Sequence, residues 1–321
     1  MHKMNRRVLL GGISASALGA MSADLAQARS RRRFFERMRQ PIGLQFGIIG
    51  ADTGRDIDAS FAQVAEIGFR EVELSNLFGR TPAELAAAAA RAGVKIASLH
   101  LPLIAMGGPT SLSMASDPAR IAEAMGTLGA RWAIVPILMI PSTYRPRPGE
   151  RMETGLGRAI AESGEDIWKQ TAAALNTKAA ALRPLGVGVA YHNHNLDFAP
   201  IGKTTGWDIL MRETEADLVK FEIDIGWVEL AGIDPVRFFD SLRGRVKLLH
   251  VRDIVRDKPQ SFEISMNSPI VGSGRLDWAR ILPAAWRAGA RHFIVEQEPT
   301  AGMPTSEAVR RSFDYLSQLR A

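Results

Sequence analysis

The chain has 321 residues, 46% of them hydrophobic and 23% charged, the ordinary balance of a globular protein with room for one large domain or two small ones. It contains no cysteine, which excludes disulfides, zinc–thiolate sites and thiol nucleophiles. The net charge of +6 is no nucleic-acid footprint, because residues 1–28 carry +2 and residues 29–40 carry +5, leaving −1 for residues 41–321.

In chain order, Asn5-Arg6-Arg7-Val8-Leu9-Leu10 resembles the twin-arginine export motif. The apolar run over 8–21 is shorter than the roughly 20 residues a membrane span needs, and Ala26-Gln27-Ala28 fits a small-x-small cleavage site. Residues 1–28 therefore read as a signal peptide, with export to the periplasm and no stable membrane insertion after cleavage. Twin-arginine export carries folded proteins, often with a cofactor already bound. Residues 29–40 (RSRRRFFERMRQ) read as a basic, solvated linker, and 41–321 as the folded body.

Within the body, short apolar runs alternate with helical patterns. The first strand is expected over 44–50, followed by a helix through Phe61, Val64, Ala65 and Ile67 that stops at Gly68. The second strand is expected over 71–74. Thr81-Pro82-Ala83-Glu84 supplies a capping box with proline at the first helical position, and Gly93 ends that helix. A third strand over 95–99 runs into His100. Asp117-Pro118 caps the next helix, and 132–138 is strand four. The proline-rich, polar segment 140–164 reads as a functional loop or lid. A long helix to Leu182 follows, stopped by Pro184 and Gly186. Strand five lies in 187–195 (VGVAYHNHN), strand six over 219–223, strand seven over 246–249 and strand eight over 292–295. The last helices start near Trp207, Asp234-Pro235, Asp277 and Ser306. This alternation predicts a single-domain α/β protein with a (β/α)8 barrel. A doubly wound open sheet is the competitor, but Ala51-Asp52-Thr53-Gly54 lacks the glycine-rich turn of a dinucleotide site.

Strands five to eight each end in an ionisable residue: His192, Asp224, His250 and Glu296. In such a barrel the C-terminal strand ends carry the active site. Two imidazoles and two carboxylates suit one divalent ion, Mn²⁺, Co²⁺, Fe²⁺, Zn²⁺ or Mg²⁺. His194, two residues beyond His192 and so on the same strand face, is the alternative ligand from strand five.

The segments GVGVAYHNHNLDF, FEIDIGWVELAGIDP, LLHVRD, VGSGRLDW and FIVEQE, in that order, resemble the xylose-isomerase-like barrel superfamily. The nearest branch is the sugar phosphate isomerase/epimerase type with a YHNH strand. The resemblance implies that Asp224, His250 and Glu296 are three of four metal ligands. The fourth is a glutamate on strand five of the ketose epimerases, and His192 stands in its place. That difference disfavours a symmetric two-glutamate epimerisation and favours an asymmetric acid/base task. The implied activity is a metal-dependent isomerase or epimerase acting on a sugar, keto-sugar or cyclitol. It proceeds by proton abstraction next to a carbonyl and a metal-stabilised enediolate. The alternatives are a keto-glycoside lyase or inosose-type dehydratase, and, outside enzymes, an exported sugar-binding module. Glu296, His194 and His192 are the expected acid/base groups, and His100, Glu73, Trp227, Arg252 and Asn193 the expected substrate contacts. Arg252 and Asp253 would support the site, and Gly272 and Gly274 resemble a loop near the pocket. The expected partner is a small carbohydrate, with no nucleic acid, and self-association into a homo-oligomer is allowed.

Overall fold

Eight parallel strands close into a barrel in the computed structural model, which describes residues 32–49, 55–105, 111–242, 244–264, 268–300 and 302–321. They are β1 (Gly43–Gln45), β2 (Glu71–Leu74), β3 (Lys95–His100), β4 (Trp132–Val135), β5 (Gly188–His192), β6 (Val219–Asp224), β7 (Val246–Val251) and β8 (His292–Val295). Each strand pairs with its sequence neighbours, and β1 pairs with both β2 and β8, so the barrel sheet has no free edge. The expected barrel is the fold that forms. The expected signal, 1–28, lies outside the described residues.

Local chemistry sets the helix boundaries. Thr81 Oγ1 accepts the Glu84 N–H at 3.2 Å while the Glu84 carboxylate accepts the Thr81 N–H at 2.7 Å, which starts helix Pro82–Ala92. Asp117 and Asp234 cap the helices Pro118–Leu128 and Pro235–Asp240 through carboxylate–amide bonds of 2.8 to 3.0 Å.

Three segments differ from the sequence expectation. The first strand ends at Gln45, and Phe46–Ile48 turns into a 3₁₀ helix that stacks Phe46 on Phe61, with ring centroids 4.2 Å apart. The expected lid over 140–164 contains the helix Met152–Ser163, whose apolar stripe Leu156, Ala159 and Ile160 is buried. In the expected linker, Phe34–Met38 is a short helix with Phe34 and Phe35 buried against Phe293 at the foot of β8.

An apolar layer lies between the Glu71–His292 pair at the starts of β2 and β8 and the ionisable residues at the C-terminal strand ends. Trp132, Ile134, Ala190 and Leu248 form a plug inside the barrel. Gly188 makes room for it, because a Cβ there would lie 2.5 Å from the Trp132 ring.

Candidate active site and metal centre

Closure of the barrel brings the four predicted ligands together. One donor atom from each of His192, Asp224, His250 and Glu296 lies within 4.8 Å of the other three. The register explains it: Asp224 of β6 pairs with His250 of β7, which pairs in turn with Ile294 of β8, so successive strand ends stand side by side. His250 Nδ1 lies 2.7 Å from Glu296 Oε2. Arg252 Nε and Nη2 donate to Asp224 Oδ2 and Glu296 Oε2 at 2.7 and 2.6 Å, and Nη1 also pairs with Glu298.

His192 is the β5 member of the set. It ends the strand, whereas His194 lies beyond it and opens the 3₁₀ turn Asn195–Phe198. The two imidazoles stay close, with centroids 5.0 Å apart, and His194 Nδ1 is buried without a hydrogen-bond partner. Burial drives the His194 imidazole down to about 3, so it is neutral across the physiological range. Burial would raise the Glu296 carboxyl, but Arg252 and His250 outweigh it and hold it well below the usual carboxylate range. Glu296 is thus an ionised carboxylate whose side chain is 16% exposed.

Several expected substrate contacts have other partners. Both amide atoms of Asn193 are engaged with the Asp224 backbone, accepting its N–H at 2.9 Å and donating to its carbonyl at 3.2 Å. Trp227 is 2% exposed, with the Arg252 guanidinium 4.7 Å from its ring, and packs with Leu230 and Ile254 rather than presenting a face for a sugar. Glu73 is fully buried, accepting from Ser98 Oγ at 2.6 Å and facing His100 and His250 at 2.6 and 2.8 Å. Arg252 is an internal cross-link between three carboxylates. His100 keeps 12% side-chain exposure and also lines a cleft of about 830 Å³ with Ser75, Asn76, Arg80, Arg120 and Pro136. A cleft of that size is in the range of small-ligand pockets.

Sequence reading passed over Glu222. It is fully buried on β6, two residues before Asp224 and so on the same strand face, with Oε2 3.1 Å from His192 Nδ1 and 3.4 Å from His250 Nε2. Burial, reinforced by Glu73, pushes its carboxyl up to about 8. The alternation in VKFEID, which puts Lys220, Glu222 and Asp224 on one strand face, was the available signal.

Over residues 61–319 the chain matches the model of a family described as "Xylose isomerase-like TIM barrel". Inosose dehydratase of Geobacillus kaustophilus is 22% identical over 285 residues, 82% of this chain and 87% of that protein. Inosose dehydratase of Lacticaseibacillus casei is 26% identical over 159 residues, 46% of this chain and 53% of that protein. In fold, the chain is similar to a sugar phosphate isomerase/epimerase from Parabacteroides distasonis, with TM-score 0.65, 22% identity, and 87% of this chain and 94% of the other covered. It is also similar to 3-keto-D-glucoside 4-epimerase from E. coli, with TM-score 0.57, 17% identity, and 86% and 98% covered.

Proposed function

The chain belongs to the xylose isomerase-like TIM barrel family, and from that premise we propose that it is a metal-dependent enzyme acting on a sugar, keto-sugar or cyclitol. Its common step is removal of a proton from the carbon next to a carbonyl. The observation that carries this reading is the meeting of His192, Asp224, His250 and Glu296 donor atoms within 4.8 Å at four consecutive strand ends. Two nitrogen and two carboxylate donors are a donor set for Mn²⁺, Co²⁺, Fe²⁺ or Zn²⁺, and two carboxylates balance the charge of a divalent ion. Bound there, the ion supplies Lewis-acid stabilisation of the charge that builds on the substrate oxygen.

The chain's own residues supply the rest. Glu296 is ionised and partly exposed, so it can take the proton; Arg252 and His250 orient its carboxylate. His194 offers a neutral imidazole whose buried Nδ1 is unpartnered, available for a hydrogen bond with a bound sugar hydroxyl. Asn193 locks β5 to β6 and so sets the distance between His192 and Asp224.

Two outcomes follow from a common carbanion: reprotonation, an isomerisation or epimerisation, or loss of a β-hydroxyl, a dehydration. The curated relatives named inosose dehydratase, one spanning most of this chain, favour the second, as does an imidazole in the place of one carboxylate of a symmetric pair. Metal-loaded protein should be incubated in D₂O with inososes, 3-keto-glucosides and free ketoses. Deuterium entering next to the carbonyl, with or without loss of water, is expected; sugar binding without exchange in any of them would refute an enzymatic role.

A further inference from the structure

We propose that the chain has a second divalent-cation site, made by Glu73, His100, Glu222 and the Nε2 atom of His250. It is drawn from β2, β3, β6 and β7 and is independent of which substrate the enzyme takes. His100 Nε2 and His250 Nε2 stand 2.6 and 2.8 Å from Glu73 Oε1, and 3.8 and 3.4 Å from Glu222 Oε2. A tetrahedral ion with bonds of about 2.0–2.1 Å holds its ligand atoms roughly 3.3 Å apart. The four observed separations straddle that value, so small side-chain shifts suffice.

Charge and hydrogen bonding both ask for a cation. Glu73, Glu222 and His250 are fully buried, and Glu222 Oε1 has no hydrogen-bond partner. In the first set, Arg252 already compensates Asp224 and Glu296. Among the described residues, neither lysine nor arginine pairs with Glu73 or Glu222, which face only imidazoles and the Ser98 hydroxyl. Two buried carboxylates whose partners are imidazoles and one hydroxyl are costly to keep ionised together, and a divalent ion would offset that cost. The backbone is also adjusted at both carboxylates. The strand register shifts between Val72 and Glu73 and between Phe221 and Glu222, the irregularity that re-aims side chains beside functional sites.

His250 belongs to both sets, Nδ1 facing Glu296 and Nε2 facing Glu73. A neutral imidazole has one lone pair, so it ligates one ion at a time. Either way, three protein donors remain for the other ion, the number that open zinc-type sites use.

The test is Co²⁺ equilibrium dialysis of metal-stripped protein, with metal analysis and circular dichroism to verify folding. Wild type should take up about two equivalents, falling to about one in Glu222→Gln and in His100→Gln, and to about one in Asp224→Asn. Unchanged uptake in folded Glu222→Gln and His100→Gln would overturn the proposal, as would a single ion lost only in Asp224→Asn. A single ion lost in Glu222→Gln but kept in Asp224→Asn would uphold this site and refute the first metal assignment instead.

Discussion

Asp253→Asn should destabilise the barrel far more than its one-atom change suggests. Asp253 is fully buried and its carboxylate accepts five donors. Oδ1 takes the amides of Ile254 and Leu276 at 2.8 and 3.2 Å; Oδ2 takes those of Gly272 and Gly274 at 2.9 and 3.2 Å and the Trp278 indole N–H at 3.1 Å. An asparagine must turn its NH₂ toward one of these groups, and the less costly choice is the pair at Oδ1. Two N–H donors then face a donor. At about 1.5–3 kcal/mol for each hydrogen bond to a charged acceptor, the loss is about 3–6 kcal/mol. Gly274 closes off relaxation, since even a Cβ at that position would collide with the Asp253 carboxylate. Urea unfolding should show a lower midpoint at unchanged m-value, and hydrogen exchange should speed up at Ile254 and Leu276. A loss below about 1 kcal/mol would show that Asp253 does not pin the 271–278 loop.

Asp197 gives a pH prediction. Burial lifts its carboxyl from 3.8 to about 8, although the Tyr191 hydroxyl donates to Oδ2 at 2.9 Å. The folded chain therefore keeps a proton that the unfolded chain has lost, and stability falls as pH rises from about 4 to about 8. Asp197→Asn cannot ionise and places an NH₂ group in the region of the unpartnered Oδ1, so melting temperatures across that range should flatten; an unchanged slope would refute the assignment. Phe34→Ala should cost about 3–5 kcal/mol by emptying a buried ring site. Phe34 is fully buried, with centroids 5.2 Å from Phe35 and 5.7 Å from Phe293, and a loss under about 1 kcal/mol on urea unfolding would return residues 33–40 to the status of a linker.

The grouping of His192, Asp224, His250 and Glu296 was legible because each stands at the end of an apolar run, and a run's end is a local property. Helix starts were legible for the same reason: a capping box at Thr81 and Glu84 or an Asp-Pro pair at 117–118 needs no distant partner. Phe34–Met38 was not, because five residues form a helix only when packing holds them, here against Phe293 and through the Phe34 N–H to the Leu319 carbonyl at 2.8 Å. The helix Met152–Ser163 was hidden by a polar, proline-rich surround whose apolar stripe is only three buried positions deep.

Which of His192 and His194 stands with the other three donors could not be read from spacing. Both fall on one strand face as long as the strand continues, and only the structure shows that β5 stops at His192 and the chain turns. Glu73 and Glu222 are a stronger case of the same limit. Each sits in a short strand with other charges, Glu71 in β2 and Lys220 and Asp224 in β6, and the two lie 149 residues apart in the chain. The barrel's closure sets both against His100 and His250. Sequence alone determined the order of the eight strands and most of the helices between them, and set His192, Asp224, His250 and Glu296 at or beside the ends of β5 to β8, since hydrophobic period and capping act within a few residues. Tertiary structure decided which carboxylates face an imidazole and which an arginine, because those energies depend on distances and burial that exist only once the barrel is closed.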